Sequence, residues 1–70
     1  MSRNYRGEAL REVDILRTAE RLIQSRGLQA QYDAVIRASE RKALGDDAGA
    51  ATWVRVYETV GELRNAERPR

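Results

Sequence analysis

Proline occurs once, at Pro69, so no residue between Gly7 and Arg68 is barred from helix by a missing backbone N–H. Punctuation is left to glycine. Two glycine-centred breaks, at Gly27 and at Gly45-Asp46-Asp47, cut the chain into three segments of similar size. Good helix formers (Ala, Leu, Glu, Arg, Gln) dominate those segments. Phe is absent, and β-branched residues never alternate with polar ones over a strand length. The expected fold class is all-α: a small three-helix bundle, or an open three-helix arrangement closed by a second copy, in a single domain over 1–70.

Size then raises a stability problem. A chain of 70 residues buries only about 60% of the surface that its unfolded form exposes. Disulfides, a structural metal or a partner chain usually make up the shortfall. The sequence has no Cys and no His, which removes disulfides, thiolate sites and the commonest zinc ligand. Tight helix packing or association with another chain remains. No cofactor and no metal are expected.

The periodicity places three helices. Helix one spans roughly 8–26, with Glu8 and Glu12 in its first turns, Arg26 in its last and Gly27 as the C′ residue. Leu10, Val13, Ile15, Leu16, Ala19, Leu22 and Ile23 cover about half of its circumference, at roughly 100° per residue. This helix is therefore expected to be the most buried, with Leu16 near the middle of the arc. Helix two spans roughly 29–44. Leu28, Tyr32, Val35, Ile36, Ser39 and Ala43 form its apolar stripe, and Arg37, Glu40 and Arg41 its solvated side. Helix three spans roughly 48–67, with Asp47 as the N-cap. Its stripe is Trp53, Val56, Tyr57, Val60 and Leu63, and Val54 points about 100° away. Ser2–Arg6 and Arg68–Arg70 read as frayed basic tails.

Composition excludes several function classes. Thirteen basic residues face eleven acidic ones, for a net charge of +2. That describes a mixed surface rather than a polyanion binder. No apolar run approaches the roughly eighteen residues of a membrane span. The opening MSRNYRGEALREVD lacks the apolar region of a secretion signal. The expected compartment is the cytoplasm. Without His or Cys, general acid–base and nucleophilic chemistry would fall to Lys42, the sole lysine, which flanks the break after helix two where solvent is expected. Asp46 and Asp47 precede a helix and suit turn and cap roles better than a metal site. No catalytic residue is assigned.

Two other sets of residues stand out. Arg17 and Arg21 lie one turn apart on helix one, as do Arg37 and Arg41 on helix two. Such pairs can track phosphates. Glu20 and Glu40 are interleaved with them and break up a positive field. On helix three, Trp53 and Tyr57 are one turn apart, which suits either core anchors or interface hot spots. With Val54 they form the expected partner-binding set.

Two resemblances accompany these residues. The stretch Ala38–Leu63 contains GDDAGAATW, followed by apolar residues at helical spacing. On Gly45, Asp46, Gly49, Ala51, Thr52 and Trp53 it resembles a family of short bacterial helical proteins of unknown function. That resemblance implies a helical fold of bacterial or phage origin and carries no activity. Ile15 to Leu22, with Gly27, Leu28 and Ala30, is similar to the first helix and turn of TetR-type repressors, and Ile36 matches their second helix. Those repressors turn at Ala-Gly soon after that isoleucine. Here Ser39-Glu40-Arg41-Lys42 continue the helix, and the recognition helix has no counterpart.

The expectation is a non-catalytic interaction protein that binds a protein partner or itself, with no membrane association. The alternative is a small DNA-binding regulator using Arg17, Arg21, Arg37 and Arg41.

Overall fold

A computed structural model describes residues 12–67. Helix α1 spans Glu12–Arg26, α2 spans Ala30–Ala43 and α3 spans Asp47–Glu67, with a 3-10 turn over Gly27–Gln29 between α1 and α2. Among the described residues there is no strand, and the fold class is all-α. The start of helix one at 8–11 and the two basic tails lie outside the described residues.

Both breaks are made by glycines in the left-handed region. Gly27 has φ +58° and Gly45 φ +82°, a conformation in which a Cβ would be strained. The second break is a Schellman turn. The Gly45 N–H donates to the Lys42 carbonyl at 3.0 Å, and the Asp46 N–H to the Arg41 carbonyl at 2.8 Å. The N-cap of α3 is Asp46 and not Asp47. Asp46 Oδ1 accepts the Gly49 N–H at 2.9 Å, and its carbonyl accepts the Ala50 N–H at 2.9 Å. One residue thus closes α2 and opens α3, so the turn is tighter than glycine spacing alone suggests. Asp47 is the first helical residue and pairs with Lys42 at 3.3 Å.

Helix α3 is the centre of the fold. Helix α2 packs along it, α1 packs against it less extensively, and α1 and α2 touch little. Gln31 of α2 meets Tyr57 of α3, and Ala38 of α2 shares a groove with Ala50 and Val54, so these two helices are antiparallel. Glu12 of α1 meets Arg55, Glu20 and Ile23 lie beside Leu63, and the Gly27 carbonyl accepts a hydrogen bond from Arg64. Helices α1 and α3 therefore run parallel.

The core consists of Ile15, Ala19 and Leu22 from α1, Ala30 and Ala34 from α2, and Val56 and Val60 from α3. Ile23, Trp53 and Leu63 pack on its margin. The largest fully buried side chains are only Val56 and Val60. Alanine on α2 permits close approach of its neighbour, because interaxial distance follows side-chain size. Gly61 marks that approach, since a Cβ there would sit 2.9 Å from Gln31 Nε2.

Two further expectations are corrected. Helix α3 packs against both others, while buried residues are shared between α1 (Ile15, Ala19, Leu22) and α3 (Ala50, Val56, Val60). Leu16 is 39% exposed. The buried side of α1 centres on Ile15, Ala19 and Leu22, and α2 leaves through the Gly27 elbow without covering the Leu16 flank. On α2 the faces are exchanged. Ala30 and Ala34 are fully buried, whereas Leu28, Tyr32, Val35 and Ile36 of the expected stripe are exposed.

Candidate interaction surface

The exchanged faces of α2 create the main surface feature. Leu28 is 88% exposed and Tyr32 67%, and Val35 and Ile36 are also exposed. The spacing of Tyr32, Val35 and Ile36 places them on a single side of α2, and Leu28 precedes them in the 3-10 turn Gly27–Gln29. Ser39 continues that stripe and shares a groove with Val54 of α3. The stripe therefore reaches the flank of α3 at Ser39, in a groove that Lys42 and Asp47 also line. Tyr57 lies on the same seam, where its carbonyl accepts a hydrogen bond from Gln31 Nε2 at 3.4 Å. Sequence periodicity identifies the stripe but assigns it to the core. Ala30, Ala34 and Ala38, spaced four apart, are the signal for the true packing face.

The three residues expected to bind a partner have different positions. Val54 and Tyr57 are exposed. Trp53 packs partly buried against the core, and the Arg37 guanidinium lies 5.1 Å from its ring centroid. It contributes packing at the margin of the core and is only partly exposed.

The four candidate phosphate-binding arginines also separate. Arg37 Nε donates to Asp33 Oδ2 at 3.1 Å, in addition to its stack on Trp53. Arg41 lies 3.8 Å from Asp46. Both are held by neighbouring carboxylates. Arg17 and Arg21 are exposed on α1 and form no ion pair with a described residue. Among the described residues, no strip of unpaired guanidinium groups runs from α1 to α2 of the kind that would track a phosphate backbone.

Other charges fasten the helices. Arg55 Nη2 donates to Glu12 Oε2 at 2.6 Å and its Nε lies 3.9 Å from Glu58. The hydrogen bond to Glu12, and then that carboxylate's charge, raise the Arg55 pKa above its ordinary value. Arg64 donates to the Gly27 carbonyl at the C-terminal end of α1, where a cation complements the helix dipole. Among the described residues, no group of three or more His, Cys, Asp or Glu is placed to hold a metal ion. No described helix is long and apolar enough to cross a membrane.

No protein-family model, curated protein or solved structure matches this chain.

Proposed function

We propose that the protein is a non-catalytic interaction module of the cytoplasm. It acts by docking the apolar face of α2, together with Val54 and Tyr57, onto another protein surface. The observation that carries this proposal is an inverted distribution of apolar side chains. The core uses Ala19, Ala30 and Ala34, while Leu28, Tyr32, Val35 and Ile36 stand in water. Leu28, almost fully open, forgoes roughly 1.5–3 kcal/mol of burial, and Val35 and Ile36, more than half covered, forgo less. Contiguous exposed patches of this kind mark binding surfaces on small soluble proteins. The DNA-binding alternative is weakened by the engagement of Arg37 and Arg41 with Asp33 and Asp46.

A photo-crosslinking residue at position 32, with a control at position 17, tests this in cells that express the protein. Protein adducts at 32 that disappear with Ile36→Glu, and are absent at 17, support docking through α2. Absence of protein adducts at 32 overturns it. Nucleic-acid adducts at 17 would transfer the assignment to the DNA-binding alternative.

A further inference from the structure

We infer that the α2 face is covered by a second copy of this chain, with the two α2 helices packed antiparallel about a two-fold axis between Val35 and Ile36. This rests on the proposed interaction function and names the partner. Three observations support it.

The first is the order of side-chain sizes along the stripe. Its N-terminal half carries Leu28 and Tyr32, and its C-terminal half carries Ser39 and Ala43. Antiparallel pairing centred between Val35 and Ile36 sets Leu28 against Ala43, Tyr32 against Ser39 and Val35 against Ile36 of the other copy. Large meets small at each end, and medium meets medium at the axis. A parallel pairing would set Leu28 on Leu28 and Tyr32 on Tyr32, and would leave a void at Ser39 and Ala43. A two-fold interface must be self-complementary, and the order of residues along this helix satisfies that only in the antiparallel sense.

The second is charge. None of Leu28, Tyr32, Val35, Ile36, Ser39 and Ala43 is an acidic or basic residue that would carry charge at the contact. Of the acids beside the stripe, Asp33 is paired with Arg37 at 3.1 Å and Arg26 at 3.9 Å, and the antiparallel register sets exposed Glu40 against the uncharged Gln31 of the other copy. Two copies therefore bring no bare like charges together across the axis.

The third is area. A large side chain fully open to water exposes on the order of 150–200 Å². The exposed fractions of Leu28, Tyr32, Val35 and Ile36 then give about 400 Å² on α2, and Val54 and Tyr57 bring the face to about 600 Å². Two such faces supply about 1,200 Å², the lower end of specific interfaces at roughly 1,200–2,000 Å². The dimer is accordingly expected to form and dissociate with concentration rather than to be permanent.

The test uses the purified chain over a roughly hundredfold range of concentration. Sedimentation velocity is expected to move from one chain toward two, and the melting temperature to rise with concentration. Tyr32→Glu should remain helical by circular dichroism, sediment as one chain throughout and melt independently of concentration. The absence of native cysteine allows the orientation to be read directly. Val35→Cys, beside the axis, should form a disulfide-linked dimer under mild oxidation. Leu28→Cys should not, because Leu28 sits in the 3-10 turn ahead of α2 and antiparallel packing puts the two copies of residue 28 more than about 20 Å apart at roughly 1.5–2 Å per residue. Efficient linkage through Leu28→Cys, or a Tyr32→Glu variant that still dimerises, overturns the arrangement. A parent that stays monomeric at every concentration overturns self-association. If its position 32 still crosslinks to a different protein in cells, the interaction function survives without this partner. If it crosslinks to none, both fail.

Discussion

The guanidinium of Arg37 lies over the indole of Trp53, 5.1 Å from the ring centroid, while its Nε holds the carboxylate of Asp33 at 3.1 Å. One side chain of α2 thus seals the margin of the core and satisfies an acid one turn earlier. Both contacts are partly open to solvent, which limits their strength. An exposed cation–π contact contributes about 0.5–1 kcal/mol. A double-mutant cycle of Arg37→Ala and Trp53→Leu by urea denaturation is expected to give a coupling in that range. A coupling of zero would show that the stack contributes nothing.

The core assignment separates two leucines of α1. Leu22 is 8% exposed and Leu16 is 39% exposed. Leu22→Ala is expected to cost about 2–5 kcal/mol, a large share of a small domain's stability. Leu16→Ala should cost well under half as much. Thermal denaturation of the two variants checks the order, and equal losses would place Leu16 in the core after all.

The aspartates of the second turn should also differ. Asp46→Ala removes the cap and is expected to cost about 1 kcal/mol. Asp47→Ala removes only an exposed pair with Lys42, whose contribution lies within about 0–1 kcal/mol. Chemical denaturation of each variant decides the assignment, and a larger loss at Asp47 would reverse it.

Arg64 ties the last turns of α3 to the end of α1 through the Gly27 carbonyl. A hydrogen bond from a charged donor contributes about 1.5–3 kcal/mol. Arg64→Gln is expected to lose stability toward the lower end of that range and to speed amide exchange at the C-terminal end of α1. Unchanged exchange there would mean that the contact does not hold the elbow.

Gly61 sits within α3, where replacement by Ala favours helix by about 1 kcal/mol. The new Cβ meets only the far end of Gln31, and the bond it displaces, from Gln31 to the Tyr57 carbonyl, is long at 3.4 Å. Gly61→Ala is therefore expected to raise the melting temperature. A fall would mean that α2 and α3 approach too closely for Gln31 to move aside.

The helices and their ends were legible in the sequence because they depend on local chemistry. Gly27 and Gly45 adopt the conformations that few other residues tolerate, and the described proline-free run is helical apart from the turn at Leu44, Gly45 and Asp46. What periodicity could not supply was the direction in which each helix faces. An apolar stripe shows that one side of a helix avoids water, not whether that side meets its own chain or another. On α2 the stripe from Leu28 to Ile36 outweighs Ala30 and Ala34 in hydrophobicity, yet the alanines are inside. On α1 the arc was too wide to distinguish Ile15 from its neighbour Leu16. On α3, which has neighbours on two sides, the stripe and the core largely agree at Val56, Val60 and Leu63. The arginine pairs were visible as spacing, but their neutralisation by Asp33 and Asp46 depends on the fold.

The left-handed glycines at the two ends of α2 have a mechanical consequence. A helix free at one end can roll about its axis and turn a greasy side inward when no partner is present. Helix α2 is pinned at Gly27 through the elbow that Arg64 grips and at Gly45 through the Schellman turn. Rolling Leu28 and Tyr32 toward α3 would unwind both junctions and expel Ala30 and Ala34 from their close seat. The outward face is thus kept on display whether or not anything is bound. A binder meets a surface already ordered, and the entropy of arranging it has been spent during folding rather than at the encounter.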